Sequence, residues 1–337
     1  MFTSDEITSA ESTVNELRAC YTRLREAIAT VIVGQEAVVK TLAAGLISNG
    51  HMLMTGVPGL AKTLMVKALA KSLGWSFHRI QFTPDLMPAD ITGTEILQSD
   101  SHGGRRELVF QHGPIFANLI LADEINRTPP KTQAALLEAM QEHAVTVSGV
   151  TYQLEPPFVV VATQNPIEQE GTYPLPEAQL DRFMFSIYID YPSSEEEIDI
   201  AARPARMELP EITPIAERET FVRYARIVDE VPVSRHVLEY AVALTTATRP
   251  KGKHADGYIS RYVAWGAGPR ATQHLITAAK AMALLDGRPA PECRDIRDVV
   301  RPVLRHRIIP NYNALGEGID SDSVLQHLLA TVMEAES

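Results

Sequence analysis

The run Gly56-Val57-Pro58-Gly59-Leu60-Ala61-Lys62-Thr63 constrains this chain more than any other feature. It follows an apolar stretch at 51–54 and leads into a helical pattern at 63–73. A glycine-rich turn between a strand and a helix brings backbone N–H groups onto a single anion, and the helix N-terminus adds its dipole. The pattern is that of a triphosphate-binding loop, lined by Gly56, Val57, Pro58, Gly59, Leu60, Ala61, Lys62, Thr63 and Leu64. Lys62 is placed to reach the β- and γ-phosphates, and the Thr63 hydroxyl to hold Mg²⁺. One position departs from the usual form: Ala61 stands where a second glycine is expected. Because Ala61 opens a helix, its φ is expected to be negative and its methyl tolerable; a clash with phosphate is the alternative.

The rest of the first two hundred residues fits such a loop. Apolar runs at 77–82, 119–122, 158–162 and 183–189 alternate with helical segments such as 131–141. That alternation predicts a five-stranded parallel sheet with helices on both faces. Two stretches break the rhythm and read as hairpins. One runs 94–97 and 108–110 around Ser101-His102-Gly103-Gly104, the other 145–147 and 151–153 around Ser148-Gly149-Val150. Ahead of the loop, Val14, Leu17, Tyr21, Leu24 and Ile28 form one face of an amphipathic helix. Past Tyr191-Pro192 a short acidic helix gives way to the prolines Pro204, Pro210 and Pro214, and then to helical patterns at 217–228, 237–248, 272–285 and 323–334. The expected organisation is an α/β core with its N-terminal helix over 1–203, a linker over 204–216 and an all-α unit over 217–337.

Leu119-Ile120-Leu121-Ala122-Asp123-Glu124 is an apolar strand ending in two carboxylates. At the C-terminal end of a parallel strand both face the ligand crevice. Asp123 is then a candidate for Mg²⁺, and Glu124 for the general base that polarises an attacking water. The competing reading, a helix N-cap, is equally good for the pair in isolation and loses beside the phosphate loop. Asn165 ends another apolar strand, where it can hydrogen-bond that water or simply turn the chain before Pro166. Arg127, Arg182, Arg261 and Arg270 are candidates to stabilise charge building on a phosphate, although nothing in their spacing assigns a role.

Composition removes other classes. A net charge of −11 argues against a nucleic-acid-coating protein. Cys20 and Cys293 belong to no paired motif, which fits a reduced, cytoplasmic setting. The acidic N-terminus does not read as a secretion signal, and the apolar runs are too short to span a membrane. The histidines form no zinc pair, and there is no serine or cysteine hydrolase signature. Arg294, Arg297, Arg301 and Arg305, interrupted by Pro302 and interleaved with Asp295 and Asp298, read as a solvated, salt-bridged face. Trp75 and Trp265 read as packing residues; Arg105 and Arg106 read either as a grip for an acidic partner segment or as charges that keep the first hairpin soluble, the second being the preferred reading.

Taken together these segments resemble the MoxR family of AAA+ ATPases. The resemblance rests on Val33-Gly34-Gln35-Glu36, Gly56 to Thr63, Asp123-Glu124-Ile125-Asn126-Arg127 and Ala162 to Glu168. It continues through Gly171 to Phe183 and Gly268-Pro269-Arg270-Ala271, so it covers nearly everything from residue 30 onward. Ala61 is common at its position in that family. The resemblance implies an ASCE-type P-loop sheet and a helical lid, with ATP and Mg²⁺ as cofactors. It implies Asn165 as sensor 1, Arg182 as an arginine finger acting on a neighbouring subunit, and Arg270 as sensor 2, in its own subunit or the neighbour's. Val33, Gly34 and Gln35 are implied to line the adenine pocket, and the two hairpins to face the pore of a hexameric ring. Family members act as chaperone-like activators of protein partners, often ones carrying a von Willebrand factor A domain and sometimes in metal insertion. A DNA-directed motor and the motor subunit of a metal chelatase are the competing functions, and the negative charge disfavours nucleic acid.

Overall fold

The computed structural model describes residues 4–99, 106–167, 171–203 and 212–334. The hairpin tip with Arg105, most of the anticipated linker, and Glu168 lie outside the described residues, as does the side chain of Arg106.

The chain begins with helices α1 (Ser4–Ala29) and α2 (Glu36–Ile47), then strand β1 (Met52–Thr55) and helix α3 (Lys62–Leu73). Next come β2 (Phe77–Gln81), α4 (Pro88–Thr92), β3 (Gly93–Ser99), β4 (Arg106–His112) and β5 (Leu119–Asp123). They are followed by α5 (Pro130–Glu142), β6 (Ala144–Val147), β7 (Val150–Gln153), β8 (Val159–Gln164), α6 (Glu177–Leu180), β9 (Phe185–Tyr188) and α7 (Ser194–Ala201). Strands β2, β5, β8, β1 and β9 form one sheet in that order, every pair parallel. All of β5 and nearly all of β8 are buried, as strands covered on both faces must be. That continuous burial is why both were visible as uninterrupted apolar runs. Because β8 lies between β1 and β5, the C-terminal ends of the loop strand, the acidic strand and the Asn165 strand open on one crevice.

Both hairpins are present. β3 and β4 pair antiparallel from Gly93↔His112 to Ser99↔Arg106, and β6 pairs with β7 from Ala144↔Gln153 to Val147↔Val150. Phe110 of the first stacks on Tyr152 of the second with ring centroids 4.1 Å apart, and Phe116 packs edge-on to Phe110. The two inserts therefore share an aromatic seam.

Helices α8 (Arg218–Glu230), α9 (Arg235–Ala247), α10 (Gly257–Tyr262), α11 (Pro269–Leu285), α12 (Cys293–Leu304), α13 (Tyr312–Gly316) and α14 (Ser321–Thr331) build the C-terminal unit. The α1 stripe Leu17, Leu24 and Ile28 is buried against it and against α2 and α3. Each such side chain contributes about 1.5–3 kcal/mol. Trp75 also joins the units, edge-on to Phe221 at 5.2 Å.

Four details of this unit differ from the sequence expectations. It is not free of strand: β10 (Val263–Trp265) pairs antiparallel with β11 (Ile309–Pro310), strands too short to show alternation. Pro302 lies inside α12, which runs on two residues further to Leu304; its missing N–H takes away one helical hydrogen bond, to the carbonyl of Asp298, without ending the helix. Arg294, Arg297 and Arg301 are exposed as anticipated, but Asp295 is buried and gripped by Arg288. Trp265 is 70% exposed and does not serve the core.

Candidate active site

The loop leaves β1 at Thr55 and returns at Lys62. A side chain on Gly56 would bring its Cβ to 2.9 Å from the carbonyl oxygen of Ile189, so this entry is closed to anything larger than glycine. Gly59 takes φ +89°. Ala61 also lies in the left-handed region, at φ +54° and ψ 20°, contrary to the negative φ expected from its place before a helix. It is the N-cap residue, outside the helical turn, and its carbonyl accepts the first helical bond from Met65 N–H at 2.8 Å. For a residue with a Cβ this backbone costs about 1–2 kcal/mol, and the exposed methyl meets no wall that would raise the cost. Lys62 Nζ donates to the carbonyls of Gly56 and Val57 at 2.5 and 2.7 Å. Burial pushes its pKa below the ordinary lysine value, and the charges of Asp123 and Glu124 oppose that shift.

Asp123 is buried at the end of β5. Its Oδ1 accepts from Thr163 Oγ1 at 2.6 Å, and its Oδ2 from Thr63 Oγ1 at 3.3 Å. The same Oδ2 accepts from Arg79 Nε at 2.9 Å and Nη2 at 2.7 Å. Glu124 adopts φ +58° and ψ 50°, a backbone conformation uncommon for a residue with a side chain and typical of functional sites. Its N–H donates to Thr163 Oγ1 at 2.9 Å, and its Oε2 accepts from Gln81 Nε2 at 2.8 Å and Arg127 Nη1 at 3.0 Å. Glu124 precedes a short 3-10 turn but makes no side-chain cap there, so the capping alternative does not describe its carboxylate.

Thr163, Arg79 and Gln81 went unnoticed in the sequence. Thr163 sits one residue past the register pair Ala122↔Ala162, and Gln81 pairs with Asp123 across β2 and β5. The available signal was polarity at positions 79 and 81, two apart and so on one face of the strand.

The remaining candidates bond to partners outside the Asp123–Glu124 cluster. Asn165 is buried at the exit of β8, and its Oδ1 accepts from Ile167 N–H at 3.2 Å, the turn contact that its place before Pro166 allows. Gln35, at φ +59°, donates from Nε2 to Asp190 O at 3.2 Å. A Cβ on Gly34 would collide with the Glu196 carboxylate, so Val33-Gly34-Gln35 lies close against the segment following β9. Arg182 Nη1 donates to Leu137 O on α5 at 2.6 Å. Arg270, in the first turn of α11, pairs with Asp181 at 3.1 Å, and Arg261 with Glu317 at 2.7 Å. Arg307, absent from the candidates, is buried beside Asp181 and donates to Phe183 O at 2.7 Å. No helix among the described residues is long and apolar enough to cross a membrane.

Comparison with known proteins agrees with this architecture. Residues 51–185 match the ATPase family associated with various cellular activities (AAA), and residues 257–328 match an AAA lid domain. The chain is 45% identical over 302 residues to Chaperone MoxR1 of Mycobacterium tuberculosis, covering 90% of this chain and 79% of that one. It is 43% identical to the uncharacterized protein YeaC of Bacillus subtilis, covering 91% and 92% of the two chains. A crystal structure of a candidate ATPase from Cytophaga hutchinsonii, 41% identical, superposes with a TM-score of 0.89 over 98% of this chain and 99% of that one. A phosphate loop, an acidic strand end and a helical lid arranged on this sheet, with such relatives, place the chain in the MoxR family of AAA+ ATPases.

Proposed function

We propose that this protein hydrolyses Mg-ATP at the junctions between copies of itself in a ring, and uses the cycle to remodel or activate a client protein. The observation that carries the reading is the convergence of Lys62, Thr63, Asp123 and Glu124, with Thr163 Oγ1 bonded to both the Asp123 carboxylate and the Glu124 N–H. Thr63 and Asp123 offer a hydroxyl and a carboxylate 3.3 Å apart, the oxygen ligands a small hard cation takes. Mg²⁺ held there supplies charge neutralisation to the phosphates. The backbone from Gly56 to Leu64 receives the phosphate oxygens, and Lys62 exchanges its two loop carbonyls for them. Glu124 accepts the proton of the water that attacks the γ-phosphorus, the β–γ bridging bond breaks, and ADP and phosphate leave.

Asn165 positions that water, Arg182 completes the site of a neighbouring copy, Arg270 senses the nucleotide from the lid, and Val33 to Gln35 hold the base. The functional units are the core over 1–203, the linker over 204–216 and the lid over 217–337, in a cytoplasmic hexamer. The client is a protein, with a von Willebrand factor A domain or a metal centre as the favoured kind.

The first test is Glu124→Gln. The variant keeps its affinity for a fluorescent ATP analogue and loses turnover by about 10²–10⁴-fold. Turnover at the wild-type rate would remove Glu124 as the base, and absence of Mg-ATP binding by the wild-type protein would remove the whole reading.

A further inference from the structure

We infer that Arg79 is a positioning residue that competes with the divalent cation for Asp123 and so sets how much metal the site requires. The inference rests on the reading that Thr63 and Asp123 hold that cation.

A carboxylate offers about four lone-pair sites. On Asp123 they are taken unevenly: Thr163 holds one of the two on Oδ1, while Thr63 and both Arg79 nitrogens crowd the two on Oδ2. The crowded oxygen is the one facing the Thr63 hydroxyl. A cation seated between Thr63 and Asp123 needs a lone pair of Oδ2, and its double charge repels a guanidinium on the same atom. Metal and Arg79 are therefore antagonists at a single oxygen.

Of the two partners, the arginine is free to yield. The Arg79 side chain is 42% exposed and the Asp123 side chain 9%. Arg79 stands on β2, the edge strand, from which its long stem can swing into solvent. Asp123 ends a fully buried strand, and Thr163 fixes its other oxygen. Metal arrival thus displaces Arg79 and leaves the carboxylate in place.

The displacement reaches the base. Arg79 Nη2 also donates to Gln81 Oε1, and Gln81 Nε2 donates to Glu124 Oε2 at 2.8 Å. While Arg79 bridges Asp123 and Gln81, the amide is oriented to hold the Glu124 carboxylate. Release of Arg79 removes that orientation, so the same event that seats the metal loosens the grip on the base.

The experiment is a Mg²⁺ titration of fluorescent ATP-analogue binding by the full chain, comparing wild type with Arg79→Met and Arg79→Lys. Methionine keeps an apolar stem without charge, and lysine keeps the charge without the fork. Arg79→Met should reach half-maximal binding at about three- to tenfold lower Mg²⁺, and Arg79→Lys at an intermediate concentration. A requirement equal to or above that of wild type in the folded variants overturns the inference while leaving ATP binding intact. Should Arg79→Met fail to fold, Arg79→Lys decides alone, an unchanged requirement counting against the inference. Loss of Mg-dependent binding in the wild type instead brings down the ATP reading, and this inference with it.

Discussion

Arg307 Nε lies 2.7 Å from Asp181 Oδ1, an ion pair joining the helical lid to the segment that carries Arg182. The arginine side chain is 2% exposed and the aspartate 32%. Arg307 also donates to the carbonyls of Asp181 and Phe183 at 3.0 and 2.7 Å. The second Asp181 oxygen takes Arg270 at 3.1 Å. A guanidinium this deep is tolerated only because every side of it is bonded.

Asp181→Asn removes the charge but not the carbonyls. It should cost about 2–3 kcal/mol, somewhat below the usual penalty for orphaning a buried charge because the aspartate is partly wet. The double variant with Arg307→Met should cost less than the sum of the two single changes. Urea unfolding of the four proteins checks this; strictly additive losses would show that the pair is not coupled.

Thr163 connects the two carboxylates. With Thr163→Val, Asp123 Oδ1 loses a donor and the Glu124 N–H its acceptor, in a site where Thr163 is 1% exposed. Shape is nearly conserved, so the chain should fold. ATP turnover should fall by about 10–100-fold, the usual penalty when the group orienting a metal ligand is lost. Thr163→Ser keeps the hydroxyl and should recover most of the rate. Steady-state phosphate release measures both, and a wild-type rate for the valine variant would refute the bridging role.

His51 is wedged between two main-chain segments. Nδ1 accepts from Val160 N–H at 3.0 Å, and Nε2 lies 2.9 Å from Met140 O, so the ring is neutral with its proton on Nε2. Burial lowers its pKa to about 4. The unfolded chain, titrating near the ordinary value of about 6.5, then binds more protons than the native one between those limits. Stability from this group is complete above the upper value and is lost as pH falls toward the lower one, by about 3 kcal/mol in total. His51→Gln should be less stable at neutral pH and lose stability less steeply on acidification. Urea midpoints from pH 7.5 down to pH 4.5 test the slope; parallel curves for variant and wild type would contradict it.

The parts of this protein that were legible in advance share a physical cause. The strands around Leu121 and Val161 are buried on both faces, so burial alone wrote them as apolar runs. The phosphate loop and the Asp123-Glu124 pair are local in sequence. Arg79, Gln81 and Thr163 act through strand register, and Arg307 reaches Asp181 across 126 positions, which no local pattern encodes. Ala61 was misjudged because a residue just before a helix was given the backbone of one just inside it.

Arg182 sits in the half-buried stretch after α6, its guanidinium resting on the Leu137 carbonyl of α5. If it serves a neighbouring copy, charge building on the γ-phosphate there is stabilised by a residue its own chain does not use, an effect worth about 10³-fold or more in rate. Arg182→Ala should then bind ATP normally and hydrolyse it at a small fraction of the wild-type rate. Lys62→Ala should fail at the loop instead. Neither homogeneous ring is competent, yet in a mixture the intact loop of one variant meets the intact Arg182 of the other. At equal mixing about a quarter of the interfaces are complete, if subunits combine at random in a head-to-tail ring. Phosphate release should therefore rise on mixing and peak near equal proportions. A rate that stays at the level of the separate variants across the whole mixing series would mean that Arg182 does not complete a shared site.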